Sequence, residues 1–412
     1  MLNTVLNHAT NPLVVKKFGG TSMGSIERIR GVAQIIVESL NKESTVVVVS
    51  AMSGQTNKLI EMGFEMSAEP KPEALDFLLA SGEQVSCALL SMALNDLGVN
   101  SAPLLGFQAG ILTDPHSTAA KILTIDGDKL HSLVKKGIVP VIAGFQGIAE
   151  KDGHSQITTL GRGGSDTSAV AVAIAMKASR CDIFTDVDGI FTGDPRVIPN
   201  AKHIETMSFE EMMELASLGA KVLHMRSVEL AAKYKMPLRV LSTFNPHFKG
   251  SLLMDSREIL ESPVVSAVTA DQPESLLAIR VAENQARFPS HFFKPLADAG
   301  INVDVIVKSS PDNQSTSTIS FTVPRLQAAK ARELLSRDQA WIEKESVVKI
   351  SIVGIGMRTH SGVASKMFET LEKENIPIYL ISTSEIKVSV LIEENHKNLA
   401  LQSIHKAFDL HI

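Results

Sequence analysis

The sequence predicts an α/β protein: a mostly parallel sheet covered by helices on both faces, followed by two small modules of similar pattern. Three observations predict it. Over about the first 240 residues, short aliphatic runs alternate with helical patterns, the order of a sheet covered on both sides. The best of these runs, residues 45–49, is apolar on both faces, as a central parallel strand requires. Beyond residue 263, similar segments recur 72 and 75 residues apart (276 to 348 and 299 to 374).

In chain order, residues 1–12 are polar, lack the apolar core of a signal peptide and read as a loose extension. Leu13–Phe18 is apolar apart from Lys16 and Lys17 and runs straight into Gly19-Gly20. Residues 26–40 carry apolar side chains three and four apart (Ile29, Val32, Ala33, Ile36, Val37, Leu40), an amphipathic helix. Residues 138–143 and 182–185 are further strands, each ending in a loop with glycine or aspartate. In open sheets of this kind ligands sit beyond the carboxyl ends of the strands, where these loops fall. The expected boundaries are a first domain over 13–247, a linker over 248–263, and modules over 264–343 and 344–412. Each module has the strand, helix, strand, strand, helix order of a ferredoxin-like unit.

Bulk properties narrow the chemistry. A chain of 412 residues exceeds one compact core. The formal net charge of −5 gives no general attraction to nucleic acid or anionic lipid, so any phosphate site must be local. Cys87 and Cys181 lie far apart, which fits a reducing compartment. The apolar runs at 46–49 and 169–175 fall well short of the roughly 18 residues of a membrane span. A cytosolic protein with no membrane or nucleic-acid partner is expected.

Five segments carry candidate chemistry. In Lys17-Phe18-Gly19-Gly20-Thr21-Ser22, two glycines after a buried strand let backbone N–H groups approach an oxyanion, and Lys17 supplies a point charge. In Gly161-Arg162-Gly163-Gly164-Ser165-Asp166, three glycines precede a helix start and Arg162 offers a planar fork for a carboxylate or phosphate. Asp166 reads as a helix cap, as the partner of a lysine, or as a magnesium ligand. In 185–196, Asp186 and Asp188 suit a metal, a ribose or a plain turn, and Arg196 a phosphate. Ser50-Ala51-Met52-Ser53 offers hydroxyls at a strand end, and Ser81-Gly82-Glu83 an acid on a helix, a position that is ordinarily exposed. Gly-x-x-x-x-Gly-Lys-Ser/Thr and Gly-x-Gly-x-x-Gly after a first strand are both absent, which excludes a P-loop and argues against a dinucleotide fold.

Together with Thr185-Asp186-Val187-Asp188-Gly189 and Ile381-Ser382-Thr383-Ser384-Glu385, these segments resemble the aspartate kinases from about Leu13 onward. The resemblance implies an amino-acid-kinase fold with paired ACT regulatory modules, ATP and Mg2+ as cofactors, and L-aspartate as substrate. It implies that Lys17 stabilises the transferring phosphoryl group, supported by Asp166. Glu83 would take the substrate ammonium and Arg162 its α-carboxylate, with Thr56, Gly163 and Gly164 seating the substrate. Lys17, Phe18, Gly19, Gly20, Ser50, Ser165, Thr185, Asp186, Arg196 and Lys221 would bind ATP, and no side chain is assigned to a metal. Other enzymes of the same fold, acting on glutamate, acetylglutamate, carbamate or uridylate, and a non-catalytic amino-acid sensor are the alternatives. A lysine or threonine effector and a homo-oligomer joined through the ACT modules are further implications.

The departures lie in the regulatory half. Glu283-Asn284-Gln285-Ala286-Arg287-Phe288-Pro289 replaces the Asp-x-Pro-Gly turn of many relatives, and Lys308 stands where an uncharged amide is common. A buried ammonium there would alter effector selectivity, so weakened feedback inhibition is expected, with the internal Met254 a conceivable start of a separate regulatory subunit.

Overall fold

The computed structural model describes residues 11–219, 222–259, 263–282, 289–309, 316–335 and 341–411. The expected extension falls outside them except for residues 11 and 12. They divide into two compact units, the first holding 11–190, 203–216 and 222–259, the second 191–202, 217–219 and the remainder.

Strands of the first unit are β1 (Leu13–Phe18), β2 (Ser44–Val49), β3 (Ser101–Leu104), β4 (Ile111–Thr113), β5 (Ile122–Ile125), β6 (Val139–Ala143), β7 (Gln146–Lys151), β8 (His154–Thr159) and β9 (Arg180–Thr185). After β10 (Ile190–Phe191) and β11 (His203–Ile204) come β12 (Thr206–Ser208), β13 (Leu238–Ser242) and β14 (Ser251–Met254). The helices are α1 (Ile26–Ser39), α2 (Gln55–Met66), α3 (Pro72–Asp96), α4 (Gly127–Lys135), α5 (Gly164–Ala175), α6 (Phe209–Ser217) and α7 (Met225–Tyr234). The main sheet runs β12-β14-β13-β9-β1-β2-β6-β3. Its centre is parallel, and only the β13–β14 pairing is antiparallel. Side chains on a strand alternate between faces. Phe18, Val47, Val49 and Val141 accordingly meet Ile29 and Ile36 of α1 and Leu90 and Leu94 of α3. On the opposite face α5 packs on β1, β2 and β9, with α7 beside it. Val46 to Val49 have no exposed surface, worth roughly 1.5–3 kcal/mol each.

Helix α3 is long and apolar enough to match a membrane span by length and composition. It is a core helix here, packed on α1, α2, β3 and β6, and it buries Asp76 and Glu83. A smaller sheet, β5-β4-β7-β8, lies against it through β8.

Three boundary expectations need correction. The 248–263 stretch is not all linker: Ser251 and Leu253 are buried, and β14 continues the main sheet. Gly250, at φ +66°, makes the turn into it. Residues 191–202 fall in the second unit rather than the first. There Ile198 joins the core, and the Thr192 hydroxyl donates to the Leu410 carbonyl while accepting from the Lys202 amide and the His405 imidazole. Finally, the 343/344 boundary cuts through a strand.

That strand is β19 (Trp341–Val353), in an antiparallel sheet with β15 (Ala267–Ala270), β16 (Glu274–Ala282), β17 (Ile306–Ser309), β18 (Thr316–Pro324), β20 (Leu380–Thr383) and β21 (Lys387–Glu393). Its first half pairs with β16, completing the β17-β18-β16 module. Its second half pairs with β21 on one side and β15 on the other. Each module is ferredoxin-like, but the second is completed by β15, which precedes the first in the chain. Met367 and Leu371 of helix Val363–Lys373 and Leu401 and Ile404 of helix Lys397–Ala407 fill the second core. Phe292 and Leu296 of helix Ser290–Asp298 fill the first. Residues 283–288, where the sequence departs from its relatives, lie outside the described residues. Lys308 is exposed on β17, so the expected buried ammonium is not there.

Candidate functional site

The loops after β1, β2, β6 and β9 and the start of α5 come together at the carboxyl edge of the main sheet. Lys16 and Lys17 neighbour each other in β1 and point to opposite faces. Lys17 turns toward α5, where its ammonium meets the Asp166 carboxylate at 2.6 Å. Gly163, not Asp166, holds the cap position of α5, so the cap reading of Asp166 gives way to that of a lysine partner. A Cβ on Gly19 would lie 3.3 Å from Lys17 Nζ and one on Gly20 would lie 3.2 Å from the Ala51 carbonyl, so both glycines hold the loop tightly against its neighbours. The Gly19 amide donates to Phe184 O and the Ser50 amide to Phe18 O. Phe18 itself is core, stacked on Phe184 with centroids 4.6 Å apart, so only its backbone borders the loop.

Glu83 was expected to be exposed unless functional, and it is 3 % exposed. Its Oε1 accepts from the Ala51 amide at 3.0 Å, while Oε2 is buried without a hydrogen-bond partner. Burial raises its pKa from the ordinary 4.5 to about 7, against the opposing pull of the Ala51 amide and the Lys17 charge. The carboxyl thus holds its proton more tightly folded than unfolded, and it subtracts stability as pH rises from about 4.5 to about 7. A cation delivered to Oε2 would relieve that burden. If Glu83 takes the substrate ammonium, as the resemblance implies, aspartate KM should fall as pH rises through about 7. In Glu83→Gln the KM should be raised and this pH dependence lost. Steady-state kinetics across that range would disprove the assignment if the profile survived.

The Gly161–Gly164 loop is gripped from several sides. A Cβ on Gly161 would sit 2.9 Å from Thr118 O, and Thr118 is fixed by its amide donating to the buried Asp76 at 3.0 Å. Thr159 also donates to Asp76. Arg226 Nη1 donates to Leu160 O at 2.6 Å. At Gly163, φ is +70° and a Cβ would fall 2.2 Å from His224 Cγ. Gly163→Ala should therefore displace the loop and lower kcat/KM for aspartate by about 10²-fold. Gly98→Ala, with φ +81° and open space, is the control for backbone strain alone.

Arg162 is exposed, Thr56 lies in the first turn of α2, and Ser165 is buried in the first turn of α5. The Thr185 hydroxyl donates to Asp186 at the end of β9. Arg196 belongs to the second unit, with its guanidinium forked on Asp194. Lys221 lies outside the described residues. The sequence reading missed Asp76, His224 and Arg226. It also missed the Ser22–Thr243 hydroxyl pair at 2.5 Å and Arg28, which donates to Thr21 O and lies over Phe244. Only the seven-residue spacing of Asp76 and Glu83, two turns along one helix face, could have pointed to Asp76.

Beneath β1, on the face of Lys16, the fully buried Asp182 receives Arg239 Nη2 at 2.6 Å, Arg180 Nε at 2.9 Å and Lys16 Nζ at 3.4 Å. Glu43 joins through Lys16 and Arg180. Burial works to raise the Asp182 pKa, but the Arg239, Lys16 and Arg180 contacts outweigh it and hold the value below the ordinary 3.8.

A lysine at the end of β1 held by Asp166 in the first turn of α5, beside a glycine loop and within charge range of the buried Glu83 carboxylate, suits a phosphoryl-transfer class of site. Residues 12–242 match the amino acid kinase family and residues 350–408 an ACT domain. The chain is 47 % identical over 405 residues to an aspartate kinase of Pseudomonas putida, covering 97 % of this chain and 98 % of that one. It is 44 % identical over 407 residues to an aspartokinase of Helicobacter pylori, covering 97 % and 99 %. Among solved structures, E. coli aspartokinase III in complex with aspartate and ADP superposes with a TM-score of 0.74 at 26 % identity, covering 96 % and 99 %. The chain belongs to the amino acid kinase family and, within it, to the aspartate kinases. It is an enzyme with an ACT regulatory region.

Proposed function

We propose that the enzyme transfers the γ-phosphoryl group of ATP to the β-carboxylate of L-aspartate, giving 4-phospho-L-aspartate, the entry to lysine, threonine, methionine and diaminopimelate synthesis. The observation that carries this reading is the buried, unpartnered Oε2 of Glu83 in charge range of Lys17. A substrate with an ammonium group would satisfy it. Arg162 takes the α-carboxylate, and Thr56, Gly163 and Gly164 shape the seat. A β-carboxylate oxygen attacks the γ-phosphorus, the bond to the β,γ-bridging oxygen breaks, and its electron pair leaves with ADP. The nucleophile is already ionised, so no base is required; positioning and charge compensation suffice. Lys17 follows the charge on the moving phosphoryl group, and Asp166 keeps its ammonium in place. Gly19, Gly20, Ser50, Ser165 and the Phe18 backbone border the phosphates, and Thr185 and Asp186 the nucleotide.

Magnesium fits as a companion of the ATP phosphates and water, neutralising their charge. Among the described residues no three carboxylate, imidazole or thiol groups converge to cage a metal, and magnesium commonly keeps several waters. The complex of E. coli aspartokinase III with lysine and aspartate in the T-state supports lysine as an effector of this enzyme, for which the ACT region is the proposed site. The departures at residues 283–289 favour weaker inhibition, and a cytosolic homo-oligomer joined through the ACT modules completes the reading. Aspartate, magnesium-ATP and hydroxylamine should yield aspartyl hydroxamate, while glutamate, acetylglutamate, carbamate and uridylate leave ADP release at background. ADP release with one of these and none with aspartate would overturn the assignment. A lysine and threonine titration of the same assay reads the inhibition.

A further inference from the structure

A cavity in the first unit lies between β5, α5 and α7, with a volume of about 450 Å³. That is within the range of small-molecule pockets, roughly 300–1,000 Å³. Its floor is apolar, formed by Ile122, Ile174 and Leu230. Its charge is one-sided: Lys121, Arg226 and Lys233 line it against the single carboxylate of Glu229. Tyr234 stands half-exposed at the margin with the Lys233 ammonium 5.3 Å from its ring centre.

Arg226 is the informative residue. Its two hydrogen bonds go to neutral carbonyls, Leu160 at 2.6 Å and Ala120 at 2.8 Å. The acid whose charge it feels is Asp114, already engaged by His116 and by the amides of His116 and Lys121. A partly buried guanidinium held only by carbonyls favours an anion in the space beside it. Two lining residues also touch the aspartate loop. Arg226 holds Leu160, the residue before Gly161, and the Thr167 hydroxyl donates to Gly163 O at 3.1 Å.

We propose that this cavity binds a small organic anion with an apolar body, of the aromatic or branched-chain carboxylate class, and that its occupation alters aspartate binding through Arg226 and Thr167. The second half rests on the reading that the Gly161–Gly164 loop seats aspartate; the first does not.

Indole-3-propionate is a suitable probe and its neutral amide the control, with binding followed on the full chain by ligand-observed NMR. The acid should bind and the amide bind roughly tenfold more weakly. Lys233→Glu, on the exposed rim, should weaken the acid roughly tenfold with basal activity unchanged. Ala171→Phe, which fills the cavity, should abolish binding. In wild type the probe should shift aspartate KM, and in Ala171→Phe it should not. Equal binding of acid and amide, or binding indifferent to both substitutions, overturns the site. A self-association dissolved by Lys233→Glu, with no probe bound, overturns it in favour of a second copy of the chain. Binding with no change in aspartate KM overturns the coupling. If instead Arg162→Ala leaves aspartate KM unchanged while the probe still binds, it is the aspartate-loop reading that fails.

Discussion

Replacing Lys17 with alanine should lower kcat by about 10³-fold and leave aspartate KM within a small factor of wild type. The asymmetry follows from geometry. The Lys17 ammonium lies against the glycine loop after β1, not on the unpartnered oxygen of Glu83, so under the proposed mechanism its loss falls on the moving phosphoryl group. The substitution also leaves Asp166, bound to Lys17 at 2.6 Å, as an uncompensated negative charge at the proposed phosphate site. Lys17→Arg should recover little, because the ammonium acts as a point charge held against Asp166 at 2.6 Å and a longer, planar fork does not reproduce that placement. The hydroxamate assay measures both variants. A rate near wild type for Lys17→Ala would remove the residue from the mechanism.

Asp182→Ala should destabilise the first unit by about 3–5 kcal/mol, because it leaves Arg239 without its buried carboxylate and Glu43 alone against Lys16 and Arg180. In a unit of this size that lowers the melting midpoint by about 10 °C. Adding Lys16→Met and Arg239→Met should recover part of the loss, since the orphaned charges go with them. Differential scanning calorimetry of the three proteins decides the matter, and an unchanged first transition in Asp182→Ala would show that water solvates the cluster. The pH dependence has a definite sign. A carboxyl held below its ordinary 3.8 contributes stability above that value and loses it as pH falls through the folded value. Wild type should therefore lose stability below about pH 4 more steeply than Asp182→Ala.

The parallel sheet and its loops were legible because their signals are local: valines in an unbroken run, glycines directly after a strand, an arginine among three glycines. Lys17 and Asp166 could be named from such segments. Their pairing was implied by the family resemblance and not by the segments themselves, since 149 residues separate them in the chain. Lys16 was invisible as a structural residue for the same reason, as its partners Glu43 and Asp182 lie just before β2 and in β9. Glu83 looked like an ordinary helix-surface acid because α3 is apolar around most of its circumference and gives no clear polar face. β14 was hidden in a polar stretch whose pairing rests on a single glycine turn. The register of the second unit was beyond reading, because β15 is four residues long and joins a strand about 80 residues downstream.

That last arrangement bears on how feedback control could be transplanted between enzymes. A designer would take residues 344–412 as a self-contained cassette and exchange them for those of a lysine-insensitive or threonine-sensitive cousin. Such a graft would splice a foreign half-strand onto Trp341 and its neighbours and would ask Ala267–Ala270 to recognise an edge it never evolved beside. The smallest portable piece is the whole stretch from β15 to the end of the chain. Even that would strand Thr192 and Ile198, which reach this core from within the kinase segment, so any viable chimera must carry residues 191–202 as well.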